Sequence, residues 1–154
     1  MEKKLIVIVP AAGAGKRLGL GINKAFALLQ GAPLIVHCLQ MLEQTELVQR
    51  AVVVLAPAEV DEGRALLMQY QEQYFPSLPF SVVAGGKERQ DSVANALATI
   101  TEDDCYIAVH DGARPFAGRE VFVRTLAAAQ EHGAAIAAVP VKDTIKVINA
   151  VGEV

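Results

Sequence analysis

Cysteine is scarce in this chain, and long apolar runs are absent from it. The two cysteines, Cys38 and Cys105, show no CxxC spacing, so the sequence predicts neither a disulfide nor a zinc site. The purely apolar stretches have the length of strands, far below the ~20 residues of a membrane span. The amino-terminal MEKK leads straight into a strand without a secretory signal. These absences predict a cytoplasmic protein.

An excess of basic charge is also lacking. Lys and Arg number 14 against 17 Asp and Glu, which leaves a net charge of −3. That balance argues against broad binding of nucleic acid or of anionic membranes, so basic residues should act locally. At 154 residues, 53% of them hydrophobic, the chain can bury one core and has no room for two ordinary domains. We therefore expect a single domain over residues 1–154.

Two familiar phosphate-binding signatures are missing from the glycine-rich segment PAAGAGKRLGLGINK, residues 10–24. A Walker loop needs glycine where Pro10 stands and Ser or Thr where Arg17 stands. A dinucleotide fingerprint needs a third glycine at Leu18 and an acidic residue some twenty positions further on, and the chain has neither. If the segment binds phosphate, it does so by another arrangement.

The composition of that segment still favours an anion. Gly13 and Gly15 allow positive φ and a close approach of backbone N–H groups to a phosphate. Lys16, Arg17 and Lys24 add the positive charge that backbone amides cannot supply. The sequence therefore predicts a phosphate-binding loop directly after the first strand.

Strand-like and helix-like patterns alternate along the chain. The strands are predicted at Leu5–Val9, Ala51–Ala56, Phe80–Ala84, Tyr106–Val109 and Ala134–Val139. Helical stripes begin after Pro33, near Val60, after Asp91 or Ser92 as the cap, and near Val121. Because the strands lack polar alternation, both of their faces should be covered. We expect an α/β fold with a mostly parallel sheet flanked by helices.

The end of the chain departs from this rhythm. TIKVI from Thr144 alternates polar and apolar residues, and NAVG from Asn149 predicts a turn. We expect a hairpin that begins near residue 144 and lacks its second strand, which indicates a domain incomplete at its carboxyl end. Asp143, Thr144 and Lys146 are either part of a site or ordinary turn chemistry.

Polar motifs follow four of the five predicted strands: PAAGAGKR, GGKERQDS, HDGARP and PVKDT. The carboxyl ends of parallel strands share one edge of a sheet, so residues far apart in sequence can surround one nucleotide there. This coincidence is the main functional signal in the sequence.

The HDGARP motif places a carboxylate directly after an apolar strand. Asp111 can meet a hydrated Mg²⁺ that also binds phosphate oxygens, and the alternative is a helix cap or turn aspartate. Arg114 either pairs with Asp111 as a structural bridge or presents a fork to a phosphate. We interpret His110 as a packing or hydrogen-bonding residue, because no second histidine has metal spacing.

The GGKERQDS motif combines two glycines with a hydroxyl near a helix start. Gly85, Gly86 and Ser92 can offer amides and a hydroxyl to a base edge or a ribose, and the alternative for Ser92 is an ordinary N-cap. We interpret Lys87 and Arg89 as solvated loop charges.

Taken together, PAAGAGKR with Lys24, GGKERQDS, VHDGARP and PVKDTIK resemble the successive motifs of the 2-C-methyl-D-erythritol 4-phosphate cytidylyltransferases. The resemblance runs from Leu5 to Lys146. The glycine loop alone would indicate only the wider nucleotidyltransferase superfamily. GGxERxDSV with HDxARP narrows it to this family and its ribitol-phosphate relatives. The family's carboxyl-terminal third, with a further aspartate and lysine near the substrate, has no counterpart in the chain.

The resemblance implies a Rossmann-like nucleotidyltransferase fold with a protruding β-arm, beginning near residue 144, that joins two subunits into a homodimer. It implies cytidylyl transfer from CTP to 2-C-methyl-D-erythritol 4-phosphate with release of pyrophosphate, in non-mevalonate isoprenoid biosynthesis. Two alternatives stay open: a ribitol 5-phosphate cytidylyltransferase, and a nucleotide-binding or dimerising module without catalysis.

The resemblance also implies roles for individual residues, with CTP and a polyol phosphate as partners and Mg²⁺ or another divalent cation as cofactor. The nucleotide would be bound by Ala11, Ala12, Gly13, Gly15, Gly86 and Ser92. The catalytic residues would be Arg17 and Lys24, which hold the triphosphate. Asp111 would hold the metal, and the acceptor would be bound by Arg114 and Thr144. Asn23 and Ala25 stand where the family usually has Pro and Gln, and Gly112 where alanine is common. These departures concern loop rigidity more than chemistry.

Overall fold

Strands and helices alternate in the computed structural model, which describes residues 4–13 and 23–151. The strands are β1 (Lys4–Pro10), β2 (Leu28–Leu29), β3 (Ala32–Pro33), β4 (Val48–Leu55), β5 (Phe80–Ala84) and β6 (Cys105–Val109). The α-helices are α1 (Leu34–Gln44), α2 (Val60–Tyr74), α3 (Arg89–Leu97) and α4 (Gly118–His132). Short 3-10 helices lie at Lys24–Phe26 and Pro57–Glu59.

A four-stranded sheet in the order β5-β4-β1-β6 forms the centre, and all of its strands are parallel. Strand β1 lies between β4 and β6, with Val7 opposite Ala51 on one side and Ala108 on the other. Five consecutive residues of β1, 5–9, are buried, as a strand covered on both faces requires. The predicted parallel sheet is confirmed.

Alternate side chains of the central strands pack into two separate hydrophobic cores, one on each face of the sheet. Val7 and Val9 pack in the core shared with α1, α2 and α4. Ile6 and Ile8 pack in the core on the opposite face, where Ala96 of α3 is buried with them. Each fully buried aliphatic side chain stabilises the fold by roughly 1.5–3 kcal/mol. Helices therefore cover both faces of the sheet, as the apolar strands predict.

The four predicted helices are present, but the third begins differently from its prediction. Helix α3 starts at Arg89 with Glu88 as its N-cap residue, so neither Asp91 nor Ser92 is the cap. Asp91 lies in the first turn, where its Oδ2 accepts a hydrogen bond from the Glu88 backbone N–H at 2.9 Å. Among the helices of residues 23–151, none is long and apolar enough to cross a membrane.

The predicted fifth strand, over 134–139, is wrong. Residues 134–151 contain no helix or strand, and their apolar side chains lie in solvent, with Ile136 87% exposed. An apolar run becomes a strand only where a neighbour can take its backbone hydrogen bonds, and no described strand pairs with this one. The segment from Thr144 also has no strand, so the arm stays a prediction. The predicted turn at Asn149 is confirmed, because its Oδ1 accepts from the N–H of Val151 at 3.1 Å.

Candidate functional site

The carboxyl ends of β1 and β6 mark the point where the strand order reverses, because β4 and β5 lie on one side of β1 and β6 on the other. Ligands of open α/β sheets bind in the crevice outside such a point. The loop after β6 continues alongside β1: His110 N donates to Ile8 O at 2.9 Å, and Gly112 N donates to Pro10 O at 3.2 Å. The glycine-rich segment and the HDGARP motif therefore start side by side.

The carboxylate of Asp111 lies between two guanidinium groups. Arg89 Nη1 is 2.8 Å from Oδ1, and Arg114 Nε is 2.9 Å from Oδ2. Oδ1 is inaccessible to solvent, yet no hydrogen bond reaches it from the described residues. Arg89 therefore approaches it as an ion pair without an aligned N–H. Arg114 is confirmed as a partner of Asp111. Arg89, interpreted as a solvated charge, is 60% exposed and also forms an ion pair that was not predicted.

Arg89 is a residue beside Asp111 whose contact sequence reasoning missed. It begins α3, directly after the loop that follows β5, and it reaches the loop that follows β6. Both loops leave the same edge of the sheet, so a cation on one and a carboxylate on the other were candidates for pairing. That charge complementarity was the available signal.

The donor set at Asp111 fits a hydrated Mg²⁺ better than a metal held by a cage of protein ligands. Mg²⁺ is usually bound by one or two carboxylates together with substrate phosphates, and it keeps several waters. Across residues 4–13 and 23–151, no group of three or more His, Cys, Asp or Glu side chains is placed to hold a metal. A cation at Asp111 would have to displace the Arg89 guanidinium, which lies 2.8 Å from the buried Oδ1.

Ser92 holds the two-glycine turn that precedes α3. Its hydroxyl accepts from Gly86 N and donates to Glu88 O, each at 3.1 Å, and the residue is only 4% exposed. A side chain at Gly86 would collide with Asp91 Cβ. Ser92 therefore lies inside the helix rather than at its cap, and its hydroxyl keeps Gly86 close to the first turn of α3.

Ala11 and Ala12, which follow β1, are flanked by glycines from two other loops. A Cβ at Gly85 would lie 2.9 Å from Ala12 Cβ, and a Cβ at Gly112 would lie 3.0 Å from Ala11 Cβ. Both distances are shorter than ordinary carbon contacts, so the absence of side chains at Gly85 and Gly112 permits this packing. The loops after β1, β5 and β6 thus meet at one place, as the sequence predicts.

Gly13 is the one glycine of the glycine-rich segment that the structure describes. Gly13 does not adopt positive φ, whereas Gly31, Gly118 and Gly133 do. A Cβ at Gly13 would have no atom of the described residues within 4 Å. Gly15, Lys16 and Arg17 lie outside the described residues, and their roles stay predictions.

Lys24 starts the 3-10 helix that follows this segment. Its side chain is exposed, and it forms no hydrogen bond or ion pair with the residues that the structure describes. The residue before it, Asn23, donates from Nδ2 to the carbonyl of Ala11 at 2.6 Å. The lysine is therefore tethered, through its neighbour, to the end of β1.

Thr144 is not brought into this cluster. It is exposed in the segment 134–151, and no hydrogen bond or ion pair joins it to the part of the chain described. The PVKDT loop therefore does not join the other three, and the acceptor-binding role of Thr144 stays a prediction.

His110 and Cys38 are both structural in this arrangement. The His110 ring lies 5.5 Å from that of Phe122, and its Nε2 is 2.9 Å from the carbonyl of Arg114. Burial lowers the pKa of His110. Burial, with a smaller contribution from the charge of Asp111, raises the pKa of the Cys38 thiol to about 12. Cys38 and Cys105 are free thiols.

Comparison with known proteins agrees with this geometry. The sequence profile of the 2-C-methyl-D-erythritol 4-phosphate cytidylyltransferases matches residues 5–154. The 2-C-methyl-D-erythritol 4-phosphate cytidylyltransferase of Bacillus mycoides is 42% identical over 143 residues, which are 93% of this chain and 61% of that protein. The one of Syntrophus aciditrophicus is 37% identical over 154 residues, which are 100% of this chain and 64% of that protein.

Solved structures show the same fold. A crystal structure of 4-diphosphocytidyl-2C-methyl-D-erythritol synthase superposes with a TM-score of 0.71 at 27% identity, covering 97% of this chain and 65% of that one. The synthase from Anaerococcus prevotii superposes with a TM-score of 0.76 at 24% identity, covering 97% and 62%. The chain spans about three fifths of the length of the curated relatives it matches. From the profile match and the shared fold, the chain belongs to the 2-C-methyl-D-erythritol 4-phosphate cytidylyltransferase family.

Proposed function

We propose that this chain is a cytoplasmic nucleotidyltransferase domain that binds CTP with Mg²⁺ and transfers the cytidylyl group to 2-C-methyl-D-erythritol 4-phosphate. The observation that carries the proposal is the 2.8 Å ion pair between Arg89 and Asp111. It joins the loop after β5 to the loop after β6 at the edge where the glycine-rich segment begins. The names of the relatives support the choice of nucleotide and acceptor.

The proposed reaction is a displacement at phosphorus. A phosphate oxygen of the acceptor forms a bond to the α-phosphorus of CTP, the bond from that phosphorus to the bridging oxygen breaks, and pyrophosphate leaves. A phosphate monoester has a second pKa of about 6, so the nucleophile is largely ionised near neutrality and needs no general base. The structural roles of His110 and Cys38 agree with this chemistry.

Electrostatic repulsion between the acceptor phosphate and the triphosphate is then the main obstacle, and cationic side chains reduce it. Asp111 would hold Mg²⁺, which when bound neutralises phosphate charge and acts as a Lewis acid. Lys24 and Arg17 would hold the triphosphate, and Arg114 with Thr144 would hold the phosphate of the acceptor. These side chains bring the reacting groups together and stabilise the negative charge of the transition state.

The nucleotide itself would lie against backbone rather than side chains. The proposed contacts are Ala11, Ala12, Gly13, Gly15, Gly86 and Ser92. A Cβ at Gly13 would meet no described atom within 4 Å, which supports a close approach of the ligand to this backbone. Ser92 would contribute chiefly by holding Gly86 in place, since its hydroxyl already makes two hydrogen bonds.

A second copy of the chain is also part of the proposal. The segment 134–151 exposes several large apolar side chains, among them Ile145 at 77% and Val147 at 89%. We propose that this segment contributes to an arm that joins two subunits.

One observation favours a second candidate, nucleotide binding without turnover. Thr144 lies away from the three loops that meet, so the acceptor side is less complete than the nucleotide side in the described residues. Such a chain would bind CTP and release no pyrophosphate.

The test supplies CTP, Mg²⁺ and 2-C-methyl-D-erythritol 4-phosphate to the chain and measures pyrophosphate release together with CTP affinity by calorimetry. Ribitol 5-phosphate serves as the rival acceptor. Turnover with the first acceptor supports the proposal, and Lys24→Ala should then lower turnover ~100-fold, the effect of removing one transition-state donor. Binding without release selects the second candidate. Absence of CTP binding overturns both.

A further inference from the structure

We infer that Asn23 is a positioning residue for Lys24. Its buried amide fixes the backbone from which the exposed Lys24 side chain extends, and so determines how strongly the ammonium group holds phosphate. The inference rests on the proposed function, because it concerns the same site. It adds a residue to which neither the sequence motifs nor the comparisons assign a role.

Asn23 is buried, with 7% of its surface exposed, and its amide uses its full capacity to donate. Nδ2 donates to Ala11 O at 2.6 Å and to Glu59 Oε2 at 2.8 Å, and Oδ1 accepts from Ala25 N at 3.0 Å. A carbonyl and a carboxylate can only accept, and a backbone N–H can only donate. These partners therefore permit one orientation of the amide.

The three partners come from three different segments. Ala11 follows β1, Glu59 ends the 3-10 helix after β4, and Ala25 belongs to the 3-10 helix of Lys24. Strands β1 and β4 are neighbours in the centre of the sheet. Asn23 thus ties the backbone around Lys24 to the carboxyl ends of two rigid strands.

The position of Lys24 depends on this tether, because its own side chain is exposed and pairs with none of the described residues. Next to it, Ala25 is 3% exposed, and Phe26 N donates to Asn23 O at 3.0 Å. A displacement of about 1 Å at a binding group can lower a rate ~100-fold. A shift of the Lys24 backbone would move the charge by a comparable distance.

Glu59 adds an electrostatic reason for the same arrangement. Its carboxylate accepts from Asn23 beside Ala11, at the end of the strand that leads into the proposed phosphate loop. Without the Asn23 amide, the Glu59 carboxylate would lose a hydrogen-bond donor, and its negative charge would lie close to the proposed site of the triphosphate. Asn23 therefore positions the Glu59 carboxylate as well as the Lys24 ammonium group.

The experiment is a double-mutant cycle read out by calorimetric affinity for CTP in the presence of Mg²⁺. Asn23→Ala should weaken binding about 5- to 10-fold in the wild-type background. In the Lys24→Ala background the same change should cost less than about 2-fold, because the lysine through which Asn23 acts is gone. A role of Asn23 in general stability would instead cost the same factor in both backgrounds.

Asn23→Pro is the second variant, chosen to keep the backbone. Asn23 has φ −61° and ψ 125°, which proline can adopt without strain. This variant should weaken CTP affinity about as much as Asn23→Ala, because it also lacks the amide that bonds to Ala11 and Glu59. Glu102→Gln is the matched control, because it removes an ion pair outside the site. That pair, between Arg50 and Glu102, joins β4 to the loop before β6. It should leave CTP affinity unchanged.

The outcomes separate the inference from the proposed function. If Lys24→Ala weakens binding while Asn23→Ala does not, or if Asn23→Ala costs the same factor in both backgrounds, the inference is overturned and the function stands. Wild-type CTP affinity of Asn23→Pro also overturns it, since the amide would then be unnecessary. If the wild-type chain binds no CTP, the proposed function fails and the inference fails with it.

Discussion

Arg89 Nη1 lies 2.8 Å from Asp111 Oδ1, and this ion pair links the start of α3 to the loop that follows β6. The same carboxylate also meets Arg114 Nε at 2.9 Å. A divalent cation at Asp111 would compete with both guanidinium groups for the two oxygens. We therefore expect binding of a metal-nucleotide complex to turn at least one arginine from the carboxylate toward phosphate oxygens.

Replacing Arg89 by methionine tests this link, because methionine keeps the apolar stem and removes the charge. We expect CTP affinity to fall about 5-fold or more, since the loops after β5 and β6 lose their connection and the phosphates lose a cation. The free energy of unfolding should change by less than about 1 kcal/mol, as is usual for an exposed ion pair. Calorimetry and urea unfolding measure the two quantities.

Lys87→Met is the matched control for that change, because Lys87 carries the same charge two residues earlier. Lys87 is exposed and makes no ion pair with the described residues. Its replacement should leave CTP affinity within about 2-fold of wild type. Equal losses for Lys87→Met and Arg89→Met would mean that general charge, and not the contact with Asp111, sets the affinity.

Asp111→Asn removes the charge of the proposed metal ligand and keeps its shape. We expect the gain in CTP affinity that Mg²⁺ brings to shrink about 10-fold, because an amide oxygen is a weaker ligand for Mg²⁺ than a carboxylate. CTP affinity without Mg²⁺ should not fall, since Arg89 and Arg114 are then free to meet phosphate. Asp103→Asn, in the exposed loop before β6, is the control. An unchanged Mg²⁺ titration for Asp111→Asn would contradict the assignment.

Substitution by alanine should affect stability at Gly86 but not at Gly13. A methyl group at Gly86 would collide with Asp91 Cβ and approach the Asp91 backbone, so Gly86→Ala should lower the free energy of unfolding by ~1–3 kcal/mol. A Cβ at Gly13 would meet no described atom within 4 Å, and its φ is not positive, so Gly13→Ala should change stability by less than about 0.5 kcal/mol. It should nevertheless weaken CTP binding. A Gly13→Ala variant with wild-type affinity would count against contact between the nucleotide and this backbone.

The ion pair between Arg50 and Glu102 predicts a pH dependence of stability. Arg50 donates from Nε and Nη2 to the two carboxylate oxygens at 3.1 and 3.0 Å. This hydrogen bonding lowers the pKa of Glu102 from its usual 4.5 to about 2. The ionised form is thus favoured by folding, so its contribution is present above pH 4.5 and is lost as the pH falls toward 2.

Glu102→Gln should therefore flatten part of the acid limb of the stability curve. Urea unfolding between pH 2 and pH 7 should show the largest difference from wild type near neutrality and almost none at the acid end. A difference that stays constant over the whole range would show that the charge of Glu102 contributes nothing.

The parallel sheet and the meeting of three loops could be predicted from the sequence, because both follow from short-range patterns. Apolar strands without polar alternation require cover on both faces, and parallel strands place their carboxyl ends together. Asp111 and Gly86 were predicted as site residues in this way, and their roles stay predictions.

Other features depend on contacts that the sequence does not contain. The apolar run 134–139 satisfies the pattern of a strand, but a strand forms only beside a partner, and no described strand pairs with it. The contact of Arg89 with Asp111 depends on how two loops face each other. Asn23 could be recognised only as an unusual residue before Lys24, since its three partners lie in segments brought together by the fold.

The central claim is that the loops after β1, β5 and β6 form one nucleotide site, and NMR spectroscopy of the chain titrated with CTP and Mg²⁺ tests it most directly. We predict that the largest amide shifts fall together at residues 11–13, 85–86 and 111–112, with a single apparent affinity. Shifts confined to another surface, or separate affinities for the three loops, would contradict the account.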